Sequence, residues 1–180
     1  MNEKITKVKK RILIFTGDGK GKTTAALGMA LRASGHGLRT LILQFIKVDP
    51  HIGEMAAIRH LPGVEMIQMG RGFVPSPADP AFPEHGRAAL RAVKKAEEAL
   101  RSKKYDLIIL DEICTAMTMG LITEDQVAEI IDQCSGNSCL VLTGRGATDR
   151  LISKADTVTE MRCLKHGLQE GRKAKKGVEY

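Results

Sequence analysis

The chain has 180 residues, 28 of them Lys or Arg and 21 Asp or Glu, for a formal net charge of +7. That length suits one α/β domain burying roughly two-thirds of its unfolded surface, and 43% hydrophobic with 27% charged residues excludes a disordered chain. No purely apolar stretch exceeds five residues, far short of the ~20 that span a bilayer, and the first twenty residues lack a secretory signal's apolar core, so a cytoplasmic location is expected.

In chain order, Arg11–Thr16 reads as a short apolar strand running into a glycine-rich turn, Gly17-Asp-Gly-Lys-Gly-Lys-Thr-Thr24. A helix over 25–33 follows, stopped by Gly35 and Gly37 with His36 as a capping residue. The spacing predicts strands over 39–46 and 64–69, with a short helix over 53–61 between them. Residues 70–83 hold four of the six prolines and two glycines. Proline restricts its own dihedral and its predecessor's, so this is an irregular excursion, read as a substrate lid in preference to a passive connection. A helix over 84–101 carries its apolar stripe on Ala89, Val93, Ala96 and Leu100. Then come a strand ending at Leu110-Asp111-Glu112, and a helix over 123–134 with Thr123 and Gln126 at capping-box spacing. A strand over 138–143, the Gly144-Arg145-Gly146 turn, a helix over 148–154 and a last strand over 157–161 complete the chain. Strands alternating with helices predict a doubly wound, mostly parallel α/β sheet in one domain over 1–180.

The positive charge is not spread evenly. Residues 1–11 and 161–180 each carry a net +4, which leaves the body between them at −1. A neutral body with basic ends argues against a uniformly positive nucleic-acid-binding face, though not against tails that meet an anion. With no Trp and six aromatics, a base-stacking platform is also unsupported. The four cysteines contain no C-x-x-C pair, and Cys134, Cys139, Cys163 and His166 are poorly spaced for zinc. They read as ordinary reduced thiols.

The strongest chemical signal is the order strand, glycine-rich turn, Lys-Thr, helix. Glycines let backbone N–H groups wrap a phosphate, and the helix N-terminus adds partial positive charge. Lys22 would reach the terminal phosphates and the Thr23 hydroxyl would sit on Mg²⁺. The usual first glycine of the motif falls on Thr16, with Gly17 beside it, and the loop adds the charges of Asp18 and Lys20. At the end of the 106–110 strand, one of Asp111 and Glu112 would serve the metal, with Glu112 narrowly preferred and the other left to a cap or salt bridge. Gln44, Lys47 and Gly144-Arg145-Gly146 stand at the carboxyl ends of other strands and would complete the crevice. No general base is evident among five scattered histidines; His51, His60 and His85 read as surface or structural. A phosphate loop alone does not choose a reaction, and a small-molecule kinase or ATPase, or a nucleotide-binding regulator without catalysis, uses the same parts.

The chain resembles the P-loop type of ATP:corrinoid adenosyltransferase from about Arg11 to Tyr180. The resemblance rests on Thr16-Gly-Asp-Gly-Lys-Gly-Lys-Thr-Thr-Ala-Ala26, Gly35-His-Gly37, Gln44-Phe-Ile-Lys47, Gly72-Phe73, Leu110-Asp-Glu-Ile113 and Leu142-Thr-Gly-Arg-Gly146. It continues through Ala155-Asp-Thr-Val158, Glu160 and the tail residues Lys165, His166, Gly171, Ala174 and Gly177-Val-Glu-Tyr180. The resemblance implies a RecA-like homodimer in the cobalamin pathway. It would transfer the 5′-deoxyadenosyl group of ATP to the Co(I) of a reduced corrinoid, releasing triphosphate, with a flavoprotein as a candidate reductant. ATP would lie in the loop with its ribose C5′, not its γ-phosphate, toward the acceptor. By the same resemblance Gly17, Asp18, Gly19, Lys20, Gly21, Lys22, Thr23 and Thr24 bind the triphosphate. Thr23 and Glu112 serve Mg²⁺, Arg145 belongs to the nucleotide crevice, and Phe73 packs on the lower face of the corrin. Where relatives have G-F-x-W in the lid, this chain has Gly72-Phe-Val-Pro75, leaving only Pro75 beside Phe73 as apolar cover. Asp49-Pro-His51-Ile-Gly53 is one residue short of a cobalt-ligating histidine motif and is rejected as one. The tail over 163–180 is expected beside the nucleotide or corrinoid. The arm over 1–10 is expected to act as flexible, basic cover.

Overall fold

The computed structural model describes residues 10–167 and 171–178; the basic amino-terminal arm before Lys10, and Tyr180, lie outside them. Six strands form one sheet: β1 (Arg11–Thr16), β2 (Thr40–Gln44), β3 (Val64–Gln68), β4 (Leu107–Asp111), β5 (Cys139–Thr143) and β6 (Thr157–Glu160). Their spatial order is β3-β2-β4-β5-β1-β6 and every pairing is parallel. The helices are α1 (Lys22–Gly35), α2 (Gly53–Ile58), α3 (Phe82–Ser102), α4 (Ile113–Thr118), α5 (Glu124–Gln133) and α6 (Asp149–Lys154). Among the described residues no helix is long and apolar enough to cross a membrane.

The central strands β2 and β4 are buried along their whole length, as a parallel sheet covered on both faces requires. Side chains alternate between two cores. Leu41, Leu43, Ile108, Leu110, Leu140 and Leu142 pack with α3 and α5, while Ile42, Ile109 and Val141 pack with Ala26 and Ala30 of α1. The small alanines of α1 let the helix lie close on the strands, which brings its first turn directly over their carboxyl ends. The apolar stripe expected on the third long helix (Ala89, Val93, Ala96, Leu100) is buried throughout.

The local signals for helix ends hold. Thr123 and Gln126 form a reciprocal capping box at the start of α5, and His36 is the C-cap of α1. Several boundaries differ from the sequence reading: α2 ends at Ile58, and α3 begins at Phe82, so the last two residues of the span read as a lid over 70–83 are helical. Helix α1 begins at Lys22 rather than Ala25, so Lys22, Thr23 and Thr24 form its first turn. Helix α4 was not anticipated at all; its six residues, ICTAMT, are too few to show a helical period and hold two threonines of modest propensity. Tertiary packing makes it a helix, with Ile113, Cys114 and Ala116 fully buried. Burial pushes the Cys114 thiol up to about 12, and Cys163 is the exposed thiol.

Residues 70–81 are irregular, but their root is fixed. Met69 donates its N–H to Gln44 O at 2.9 Å and Gly72 donates to Ile46 O at 2.8 Å. Val74 is buried in the same core as Phe45, whereas its neighbour Phe73 is 91% exposed. Replacing Ile109, wholly buried between β4 and α1, by Ala is expected to cost about 2–5 kcal/mol. The midpoint of urea denaturation should fall without a change in slope, while Leu31→Ala on the exposed side of α1 should shift it by less than about 0.5 kcal/mol.

Candidate active site

The glycine-rich turn leaves β1 at Thr16 and enters α1 at Gly21, whose positive φ of 105° turns the chain into the helix. No side chain caps this end of α1, so its first N–H groups point, with the helix dipole, at whatever occupies the loop. The turn is buttressed from behind by the segment after β6. Gly19 donates its N–H to Met161 O at 2.6 Å, and Met161 donates its own to Thr16 O at 2.8 Å. A side chain at Gly17 would begin 2.5 Å from Met161 O, and one at Gly19 2.7 Å from it. These two glycines are required by packing against Met161 as much as by any ligand, and the N–H of Gly19 is already committed.

Lys22 is buried and folds back over the loop, donating to Gly17 O at 2.7 Å and Gly19 O at 2.6 Å. Desolvation lowers its pKa from the ordinary lysine value, with Glu112 the first of the charges that oppose this. An ammonium held on two carbonyls, and poorly solvated, is poised to transfer to an anion.

The two adjacent carboxylates separate. Asp111 is 1% exposed and accepts three hydrogen bonds, from Thr23 Oγ1 at 2.7 Å, Thr143 Oγ1 at 2.8 Å and Gln44 Nε2 at 2.9 Å. Lys47 lies 3.9 Å away. Gln44 in turn accepts from Gln68 Nε2 at 2.9 Å. Glu112 stands outside this buried network. Its backbone adopts φ +62°, rare for a residue with a side chain, and its N–H donates to Thr143 Oγ1 at 2.9 Å. That turn swings the Glu112 carboxylate out into the cavity above the loop. Where the sequence reading paired Thr23 with Glu112, the structure joins the Thr23 hydroxyl to Asp111.

The cavity has a volume of about 750 Å³. It is lined by the loop residues from Asp18 to Thr24 together with Glu112, Arg145, Lys47 and Glu54, and by the largely exposed Phe73. The Arg145 guanidinium lies 3.7 Å from the Asp18 carboxylate across the mouth, both largely exposed. From the carboxy-terminal tail, His166 and Gly177-Val178 also line it. The sequence-predicted residues of the loop, Glu112, Arg145 and Phe73 therefore meet in one place. Gly17 alone of the predicted loop residues is set behind the cavity wall. Thr115, Met119 and Glu54 also line the cavity and were not anticipated. Thr115 and Met119 belong to the unforeseen α4 and its C-cap, and Glu54 carries no motif. Among the described residues no three His, Cys, Asp or Glu side chains cluster as a metal cage.

A family model described as ATP:corrinoid adenosyltransferase BtuR/CobO/CobP matches residues 8–180. The chain belongs to this family. It is similar to the corrinoid adenosyltransferase of Pseudomonas aeruginosa, 39% identical over 94% of this chain and 83% of the relative. It is also similar to those of Escherichia coli K12 and Salmonella typhimurium, 36% and 35% identical over 94% of this chain and 85% of each relative. The parallel sheet with its loop at the end of β1 is the P-loop NTPase-like fold of the family. As an ATP:corrinoid adenosyltransferase the chain is a transferase of cobalamin biosynthesis, with ATP and a corrinoid as its substrates.

Asp111→Asn keeps the shape of the buried carboxylate but presents an amide to donors from Gln44, Thr23 and Thr143. It is expected to lower unfolding stability by about 1–3 kcal/mol, read as a drop in the urea midpoint of the purified protein.

Proposed function

We propose that the loop cavity binds the triphosphate of ATP and holds ribose C5′ toward the cobalt of a reduced corrinoid seated at the rim beside Phe73. The Co(I) electron pair forms the Co–C5′ bond as the C5′–O bond breaks, and triphosphate leaves with that oxygen. Co(I) is itself a strong nucleophile, so no proton has to be removed. The catalytic task is alignment and charge neutralisation. Lys22, the uncapped N–H groups of α1 and Arg145 supply the neutralisation, and Asp18 to Thr24 form the cradle.

The observation that carries this reading is the make-up of the cavity around the loop. It is lined by Lys20, Lys22, Lys47, Arg145 and the uncapped first turn of α1, with Asp18, Glu54 and Glu112 among them, and by Phe73, which is 91% exposed. A phosphate chain suits the cations and N–H groups, and an apolar macrocycle suits Phe73. Such an exposed aromatic gains burial only when a ligand arrives.

The residues present fit Mg²⁺. The Glu112 carboxylate faces the cavity and Thr23 also lines it. A hard cation in a site with so few protein oxygens is completed by phosphate oxygens and water. Thr23 and Glu112 would hold the ion, Asp111 would orient Thr23, and the ion would neutralise triphosphate charge. The family resemblance supports a homodimer, a flavoprotein as the electron donor and a cytoplasmic location. It also supports a single catalytic domain whose tail over 163–180 flanks the site, as the lining residues His166 and Val178 suggest. The arm over 1–10 would serve as basic cover.

The test is anaerobic incubation with ATP, Mg²⁺ and cob(I)alamin, following loss of the reduced-corrinoid absorbance and assaying triphosphate. Triphosphate with a Co–C bond is expected; ADP would mark a kinase or ATPase instead. Lys22→Ala is expected to lower turnover by at least about 10²–10³-fold, and undiminished turnover would remove the phosphate assignment. Phe73→Ala should depress adenosylation from Co(II) by about tenfold or more and from prereduced Co(I) much less. Equal losses in the two assays would overturn the role given to Phe73.

A further inference from the structure

Glu112 and the Gly144–Gly146 turn come from the ends of different strands, yet both rest on one side chain of the short helix α4. Thr115 Oγ1 donates to the Glu112 carboxylate and accepts the Arg145 N–H at 3.0 Å. The chemistry fixes the direction. An ionised carboxylate only accepts and a backbone N–H only donates, so the single hydroxyl proton points at Glu112 while a lone pair faces Arg145.

The surrounding backbone is shaped to permit this contact. Gly144 adopts φ +132°, and a Cβ there would lie 2.5 Å from Thr115 N and 2.9 Å from Thr115 Oγ1. Only glycine lets the turn approach α4 so closely. One position class further along the same helix face, Thr118 Oγ1 lies 2.9 Å from Cys114 O and 3.1 Å from Arg145 O. The Arg145 peptide is thus held at its N–H by Thr115, while the single Thr118 hydroxyl proton is shared between Cys114 O and the Arg145 carbonyl. At the other end, the positive φ of Glu112 aims that side chain from a fixed backbone, and the Thr115 hydroxyl stops its rotation.

We propose that Thr115 is a positioning residue that locks the metal-side carboxylate to the Arg145 turn, so that one hydroxyl sets both groups facing the triphosphate. The inference rests on the reading of Glu112 as the metal-side group. It makes a two-part signature. Loss of the hydroxyl frees Glu112, an effect that requires Mg²⁺, and loosens Arg145, an effect that does not.

The measurement is calorimetric titration of the full-length protein with ATP, in a series of Mg²⁺ concentrations and in EDTA, for the parent, T115V, T115A, T115S and E112Q. T115V is expected to bind ATP about tenfold more weakly with Mg²⁺ present and to need correspondingly more Mg²⁺ for half-maximal enhancement. In EDTA its loss should be smaller. T115S, which keeps the hydroxyl and drops the methyl, should bind within about twofold of the parent. T115A, smaller than the parent and free of any packing clash, is read in the same way as T115V. Equal weakening in T115V and T115S would show that the methyl and not the hydroxyl matters, and would overturn the proposal. Parental binding by T115V together with a lost Mg²⁺ effect in E112Q would overturn it while leaving the metal reading intact. A parental Mg²⁺ effect in E112Q would instead remove the metal reading, and this inference with it.

Discussion

The Asp111 carboxylate, buried at the carboxyl end of β4, accepts hydrogen bonds from Thr23 of α1, Gln44 of β2 and Thr143 of β5. Three elements converge on it because Asp111 pairs directly with Gln44 in the sheet register and because α1 packs over β4 on small alanines. A charge so placed is tolerated only when its oxygens are satisfied. Each of these donors is therefore held in place by the need to satisfy the others, and the start of α1 cannot move without leaving a buried anion short of a partner.

The rest of the site follows from that anchoring. With Thr23 tied down, the glycine-rich turn is confined between α1 and the Met161 backbone, and its remaining N–H groups have one open direction. Thr143, which donates to Asp111, also accepts the N–H of Glu112, so the same network forces the chain through the positive-φ turn that sends Glu112 outward. Two adjacent carboxylates thereby take opposite positions, Asp111 inside holding the scaffold and Glu112 outside lining the cavity. Environment divides them, since their chemistry is the same. Phe73 is placed by a comparable division of neighbours. Val74 is drawn into the core and the loop root is bonded to Ile46, which leaves the phenyl ring exposed at the cavity.

Much of this was legible in the chain itself. The alternation of strand and helix, the phosphate-loop spacing, the capping box at Thr123 and the stripe on α3 are short-range patterns, each written within one or two turns of backbone. What escaped was written between segments. The helix α4 has no period of its own and exists because Ile113, Cys114 and Ala116 find burial; Thr115 escaped with it. The roles of Asp111 and Glu112 could not be separated by adjacency, because which side chain faces inward depends on Thr143, thirty-odd positions downstream. The glycines at 17 and 19 read as ligand-binding residues, and only the approach of Met161 gives them a second, purely steric cause.

Local sequence alone determined that this protein is a parallel α/β chain with a phosphate loop at the end of its first strand, since strand periodicity, glycine spacing and helix caps act over a few residues and need no partner. The tertiary structure decided which carboxylate is buried in the scaffold and which lines the cavity, that one threonine hydroxyl joins Glu112 to Arg145, and that Phe73 is exposed at the same cavity. Those outcomes turn on burial and on hydrogen bonds between residues far apart in the chain, and such bonds acquire a direction only once the strands and helices that carry them are packed.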